Sequence, residues 1–408
     1  MPKSILSEHS KYVFSAIREE DDFAEELRKQ GKKVVKLSSG DPALYYPTPK
    51  YIVDAYVEAL ANGRTSYSRS QGVLDLVDAV IKRYWHRYGI DLNEQDVLVT
   101  SGVAEALTFL NSAVIGLGDT ALILKPYYTQ YPVAIQMFGG RPLVGEYDEG
   151  TGWSIDLDSV AKVVRRMKGG SGKIKYMLIT NPNNPTGTIL PRKTLEQVVE
   201  IANENRILLV SDEIYDEIVF GGANFTSVCE LAKGMPHLIL NGASKAFDAT
   251  GFRIGYVLAP EEDTVSEELK RKLADYCRVR LSSNTPAQYA IAAAMNNTGE
   301  HQRTVRELVK KIEKIVGVAM KGLGENHHLS AVRPQGAFYI FPKIHMKTLD
   351  FRNDREFVHA LLEEKLVQTT RGSGFGAPGH FRIVALAPEE IMGDCVQRVN
   401  DFCRAHAK

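Results

Sequence analysis

From residue 95 onward, short apolar runs alternate with longer stretches of helical spacing. The runs fall at 97–100, 120–124, 141–144, 175–179, 207–210 and 237–240. Each is apolar almost throughout, the pattern of strands buried on both faces of a sheet. Strands separated by helix-length segments predict an α/β domain, a mostly parallel sheet sandwiched by helices. One more run, 254–258, opens just after Arg253. The gap between Lys245 and Arg253 is too short for a parallel crossover, so this strand is predicted to run antiparallel to its predecessor.

The flanks read differently. Residues 1–35 are helical and charged, and the acidic cluster at 19–22 reads as a solvated helix face. An apolar run at 34–37 leads into Gly40 and a loop punctuated by Pro42, Pro47 and Pro49. An amphipathic helix over 50–60 follows, then a polar loop, 64–72, that carries Tyr67 and precedes a helix starting near Val73. Beyond the sheet region a charged helix is expected over 261–278, with a break at 282–287. Val305, Leu308, Val309, Ile312, Ile315, Val316 and Met320 recur at helical spacing and predict one long helix over 300–322. At 408 residues the chain exceeds what one core usually serves. It divides into an N-terminal arm with part of a small domain (1–48), a large domain (49–298) and a small α+β C-terminal domain (299–408).

Composition narrows the classes. Hydrophobic residues at 44% and charged residues at 25% describe an ordinary globular protein, and zero net charge argues against a nucleic-acid or membrane-surface partner. The apolar stretch at 290–295 is far too short to span a bilayer, and the opening MPKSILSEHS lacks the apolar core of a signal peptide. Cytoplasmic residence is therefore expected. None of the four cysteines forms a CxxC pair and there is no HExxH, so no metal site is expected and the thiols read as reduced and partly buried.

Ligands of parallel sheets bind at the carboxyl ends of the strands, and five of these six runs end in chemistry-bearing residues. The first amides of a helix, near Val103 and Ala104, follow the run at 97–100 and suit a phosphate. Tyr127, Tyr128 and Tyr131 follow the second; NPNNPTG at 181–187, with Asn184, follows the run at 175–179. Asp212 and Tyr215 follow the next, and Ser244 and Lys245 follow 237–240. A buried lysine loses charge and can condense with an aldehyde, and an arginine fork such as Arg253 suits a phosphate. Aldehyde plus phosphate suggests pyridoxal 5′-phosphate. Asp212 can then pair with its ring nitrogen, Asn184 and Tyr215 can bond its phenolic oxygen, and Tyr128 can stack on the ring. Arg253 with Ser244 and the Val103 and Ala104 amides can hold the phosphate, and Arg382 can clamp a substrate carboxylate.

With these motifs together, the whole chain resembles the class I/II, fold-type-I pyridoxal-phosphate-dependent aminotransferases. Gly40-Asp41-Pro42, Tyr67 with Gly72, Ser101-Gly102, the NPNNPTG loop, Asp212 to Tyr215, Ser244-Lys245, Gly251 to Gly255 and Arg382 carry the resemblance. It implies a homodimer with shared active sites, in which Tyr67 reaches the partner's cofactor phosphate and Gly40 offers a backbone amide to the substrate carboxylate. It also implies ping-pong transamination. The amino acid displaces Lys245, whose freed amine moves the Cα proton to the cofactor's C4′. A 2-oxo acid leaves, and a second oxo acid runs the sequence backwards. Two positions depart from the pattern: Gly242 stands where many members carry serine, and Ala104 where some aspartate enzymes carry lysine. The segments at 16–18, 280–288, 334–344, 372–376 and 379–382 are most similar to the alanine aminotransferase branch. Alanine with 2-oxoglutarate is the expected pair, with Arg18 a candidate for the distal carboxylate against the reading of a surface ion pair. The alternatives are aspartate or aromatic amino acid transamination, or a lyase on the same fold. A transcription regulator built on this domain would need a DNA-binding domain that the residues before Val34 are too few to form.

Overall fold

The computed structural model describes residues 5–168, 173–261 and 263–408. A two-residue strand, β1 (Val35–Lys36), stands apart from the main sheet. The main sheet comprises β2 (Val97–Thr100), β3 (Thr120–Lys125), β4 (Arg141–Asp148), β5 (Ser154–Ile155), β6 (Ile174–Thr180), β7 (Leu208–Asp212), β8 (His237–Gly242) and β9 (Gly255–Leu258). Their order in space is β2-β9-β8-β7-β6-β3-β4-β5. The five strands from β8 to β4 are parallel. β9 runs antiparallel to both neighbours, as its short connection from β8 requires, and β5 is antiparallel to β4. The two-residue β5 was not anticipated, because so short a segment carries no readable period.

Both faces of the central strands of this sheet are dry, which explains their unbroken apolar runs, whereas β4 toward the edge is partly exposed. Leu122, Leu124, Met177, Ile179 and Leu209 enter one core. Their neighbours Ala121, Ile123, Tyr176, Leu178, Leu208 and Val210 enter the other. Alternate side chains point to opposite faces of a strand, so a sheet covered by helices on both sides needs apolar residues at every position.

A separate core gathers around Phe338, Phe357, Phe381 and Phe402. Its strands are short: β10 (Leu329–Ser330), β11 (Tyr339–Ile340), β12 (Lys343–Ile344), β13 (Val367–Gln368), β14 (Thr370–Arg371) and β15 (Phe381–Val384). β11, β15 and β14 form an antiparallel sheet, β10 pairs with β12, and β1 joins β13 in parallel. The predicted long helix spans Thr298–Gly324. Its Val305 packs into a sheet core, while Leu308, Ile312, Ile315, Val316, Ala319 and Leu323 pack into the second core. No helix among the described residues is long and apolar enough to cross a membrane.

Candidate active site

A cavity of about 570 Å³ opens at the carboxyl ends of the parallel strands. Between β3 and β6 the chain switches from winding one way across the sheet to winding the other, which leaves a crevice. Lys245, Asp212, Tyr215, Asn184, Ser244, Arg253, Tyr128, Val103, Ala104, Gly40, Arg382 and Arg18 all line this one cavity. Tyr67 does not; its side chain stands on the exposed loop, 79% accessible.

The floor is polar, buried and bonded. Asp212 ends β7, where its carboxylate accepts from the Tyr131 hydroxyl at 2.7 Å and from the Ile214 amide at 3.2 Å. Burial pushes this carboxyl up to about 6, against those two hydrogen bonds, which favour the anion. Tyr131 also lies 2.7 Å from the Thr180 hydroxyl. By sequence Tyr131 counted only as one of three rim or core aromatics; it lies in the first turn of the helix Gln130–Met137, and only the packing of that helix on the sheet brings its hydroxyl to Asp212. Tyr215 and Tyr339 share a hydroxyl–hydroxyl bond at 2.7 Å, and Tyr339, which lies in the 334–344 segment of the family resemblance but had no role assigned from sequence, lines the cavity.

Lys245 projects from the turn after β8, and its Nζ donates to the Gly40 carbonyl at 2.5 Å. Desolvation pushes the amine down to about 8; Arg382 and Arg253 act the same way, while Asp41 and Asp212 pull against them. Gly40 thus meets Lys245 through its carbonyl oxygen. Asp41 accepts from the Thr250 hydroxyl at 2.7 Å, joining the Gly40 loop to the segment that ends at Arg253.

The phosphate end fits its expected ligand. The helix Val103–Val114 starts from Gly102, which has no side chain to cap the first amides. Arg253 holds a left-handed backbone, φ 58°, and its guanidinium bonds the carbonyls of Thr250 and Ser101 at 2.9 and 3.2 Å. A Cβ on Gly102 would sit 2.5 Å from Arg253 Nη2, so glycine is what lets that guanidinium lie across the helix start. Free helix amides, an exposed arginine fork and Ser244 make a donor set suited to a phosphate. The departure at Gly242 also has a cause. It faces Gly255 across β8 and β9, and a Cβ there would lie 2.6 Å from the Ile254 oxygen. Serine cannot be accommodated without moving the strands apart.

Arg382, on β15, is 1% exposed. It donates to Asn184 Oδ1 at 2.9 Å and to the Ser38 carbonyl at 2.6 Å, and its Nε has no partner. The guanidinium stacks over the rings of Tyr339 and Phe375. No carboxylate pairs with it among the described residues. A buried cation in that state lacks the counter-ion that ordinarily offsets its desolvation. Arg18 is the opposite case, on the rim with its side chain 75% exposed and paired with Asp21 at 2.9 Å. Asp21 is shared with Lys36 at 2.9 Å and Gln368 at 2.7 Å.

Comparison with known proteins places the chain in a family. A family model described as aminotransferase class I and II matches residues 32–397. An aspartate aminotransferase of Geobacillus stearothermophilus is 32% identical over 389 residues, covering 94% of this chain and 95% of that protein. An alanine aminotransferase of Mycobacterium bovis is 32% identical over 391 residues, covering 93% and 87%. The solved alanine aminotransferase of Pyrococcus furiosus superposes with a TM-score of 0.92 at 35% identity, over 98% of this chain and all of that one. The chain belongs to the class I and II aminotransferases, enzymes that work with pyridoxal 5′-phosphate.

Proposed function

We propose that the protein transfers an amino group from alanine to 2-oxoglutarate, with Lys245 as the base. When bound, pyridoxal 5′-phosphate supplies an electron sink that acidifies the Cα–H of the amino acid. Lys245 Nζ takes that proton from Cα and would deliver it to the cofactor's C4′; an amine pushed down to about 8 is partly free base near neutral pH, as a general base must be. Asp212, fixed by Tyr131 and the Ile214 amide, holds a negative charge against the ring nitrogen. Tyr215 and Asn184 bond the phenolic oxygen and Tyr128 covers the ring. Ser244, Arg253 and the Val103 and Ala104 amides hold the phosphate. Gly40 and Asn184 flank Arg382 at the substrate carboxylate.

One observation carries the substrate reading above the rest: the buried Arg382 guanidinium with a free Nε and no acidic partner among the described residues, in the cavity that holds Lys245. It offers a planar fork to an α-carboxylate, which every amino and 2-oxo acid has. Arg18 is the remaining cation at the cavity mouth and would serve the distal carboxylate of 2-oxoglutarate or glutamate. Alanine has no such group and would leave Arg18 on Asp21. The absence of a lysine at Ala104 and the likeness to the Pyrococcus alanine aminotransferase favour alanine over aspartate.

The active unit in this reading is a homodimer with Tyr67 of each subunit reaching the other's phosphate site. Exposed Val53, Val57 and Leu60 recur at helical spacing on Lys50–Ala61 and form an apolar stripe that a second copy would cover. The unit boundaries stay at 1–48, 49–298 and 299–408, and the enzyme would reside in the cytoplasm. The test is a panel of amino donors against 2-oxoglutarate with glutamate measured. Alanine should give the highest kcat/KM; alanine inert while aspartate turns over would reverse the assignment. Release of ammonia or a thiol without glutamate would make the protein a lyase.

A further inference from the structure

Behind the Lys245 turn lies a buried charged cluster that none of the proposed roles uses. Phe247, two residues past Lys245, is 2% exposed. Its ring stacks on His301 with centroids 4.0 Å apart and planes 13° from parallel. His301 sits in the first turn of the helix Thr298–Gly324 and places Nε2 2.8 Å from Glu217 Oε1. Its Nδ1 is buried with no partner. A proton on Nε2 therefore satisfies Glu217 and leaves only a lone pair unfilled, less costly than a stranded N–H. Glu217 also receives Arg83 at 2.6 Å and Arg87 at 3.0 Å. Arg83 in turn donates to Asp216 at 2.8 Å, which accepts from Tyr88 at 2.9 Å, and its guanidinium stands 5.9 Å from the Phe247 ring centre.

The connectivity matters more than the count of charges. Asp216 and Glu217 directly follow Tyr215, on the loop that leaves Asp212; Phe247 belongs to the turn that carries Lys245. His301 bridges the two. Burying ion pairs is an inefficient way to stabilise a fold, since well-packed apolar side chains of similar volume serve as well or better. Breaking such a pair is costly, however, so the cluster holds its members to one geometry.

We propose that Phe247 and His301, held by Glu217 and Arg83, are positioning residues that set the Lys245 turn relative to the Asp212–Tyr215 loop. The proposal rests on the reading that Lys245 is the base. Misplacing a catalytic group by about 1 Å can cost on the order of 100-fold in rate, and a stacked ring is a stiff way to prevent it.

Two variants of the holoenzyme separate the contacts. His301→Phe keeps the stacked ring and loses the bond to Glu217; His301→Gln keeps a donor to Glu217 and loses the ring. Both should lower kcat, the glutamine variant by roughly 10-fold, with KM for both substrates within about two-fold of the parent. The pH midpoint of the bound cofactor's visible absorbance, which reports the environment of the Lys245 nitrogen, should move in both. Adding Phe247→Leu to His301→Gln should cost little more, because the two act as one unit. Parental kcat and absorbance midpoint in both single variants, with only Tm lowered, would overturn the proposal. Should neither His301 variant fold, Phe247→Leu, which keeps apolar volume, reads the same quantities with the same two outcomes. A Lys245→Ala protein that still transaminates would sink the underlying reading instead. Loss of activity in that variant beside parental His301 variants would sink this inference alone.

Discussion

The floor of the cavity and its rim hold the same kinds of charged side chain on opposite physical terms. Arg382 and Asp212 on the floor are 1% and 3% exposed, and neighbours fix both in place. Arg18 on the rim stands in solvent and pairs with Asp21, three residues along its own helix. A charge on the floor acts through a low effective dielectric and in one geometry. A charge on the rim is screened by water and salt, and pairs of its kind are worth at most about 1 kcal/mol. The floor therefore suits groups that every substrate and the cofactor share, which never need to be re-read. The rim suits a group present on one substrate and absent from the other.

Four perturbations test this contrast, from the largest effect to the smallest. Lys245→Ala should still retain pyridoxal 5′-phosphate, held by Arg253 and the helix amides, yet lose about 10²- to 10⁴-fold or more in kcat for transamination. A single-turnover assay on the loaded protein measures it. Arg382→Lys keeps the charge and discards the fork. It should raise KM for amino and oxo acids alike by roughly 30-fold, the equivalent of about 2 kcal/mol. An effect confined to one substrate would remove Arg382 from the shared floor.

The third concerns pH. Burial raises the folded-state pKa of Asp212 to about 6, of Glu213 to about 8 and of Asp248 to about 7. Between the unfolded and folded values the folded protein binds the extra proton. The stability these groups add is thus fully present below roughly pH 4 and is lost as pH rises through 6 to 8. Glu213 accepts from the Ser227 hydroxyl at 2.8 Å on one oxygen and from the Val228 amide at 2.9 Å on the other. Glutamine keeps the Val228 bond through its single oxygen and reverses the other, its amide donating to the Ser227 hydroxyl. Glu213→Gln should therefore flatten the decline in apoprotein Tm between roughly pH 5 and 8. An unchanged slope would show that Glu213 is ionised on folding. Smallest of all, Arg18→Ala should raise KM for 2-oxoglutarate about two- to five-fold and leave KM for alanine unchanged within the error of initial-rate measurements. Equal effects on both substrates would erase the distinction between rim and floor.

Much of this was legible in the chain itself. Apolar runs fixed the strands to within a few residues because both faces of the central strands are dry. The short connection before Arg253 dictated that β9 turn back. Spacing along one sheet edge was enough to collect Asp212, Lys245 and Arg253, since strand ends in a parallel sheet share an edge by construction. Other features have no local signature. Tyr131 and Tyr339 took their places only when helix and strand packed against β7 and the Tyr215 loop. Gly242 looked like a lapse from the family pattern until the approach of Gly255 left no room for a Cβ.

The division follows from range. Secondary structure, strand direction and the reagents for cofactor chemistry are written in residue type and short spacing, so the sequence alone determined them. Which hydroxyl meets which carboxylate, that Arg382 packs on Tyr339 and Phe375 with no acidic partner among the described residues, and that Phe247 rests on His301 depend on contacts between segments tens to hundreds of residues apart. Only the packed tertiary structure, which decides burial and hence the strength of each charge, settled those.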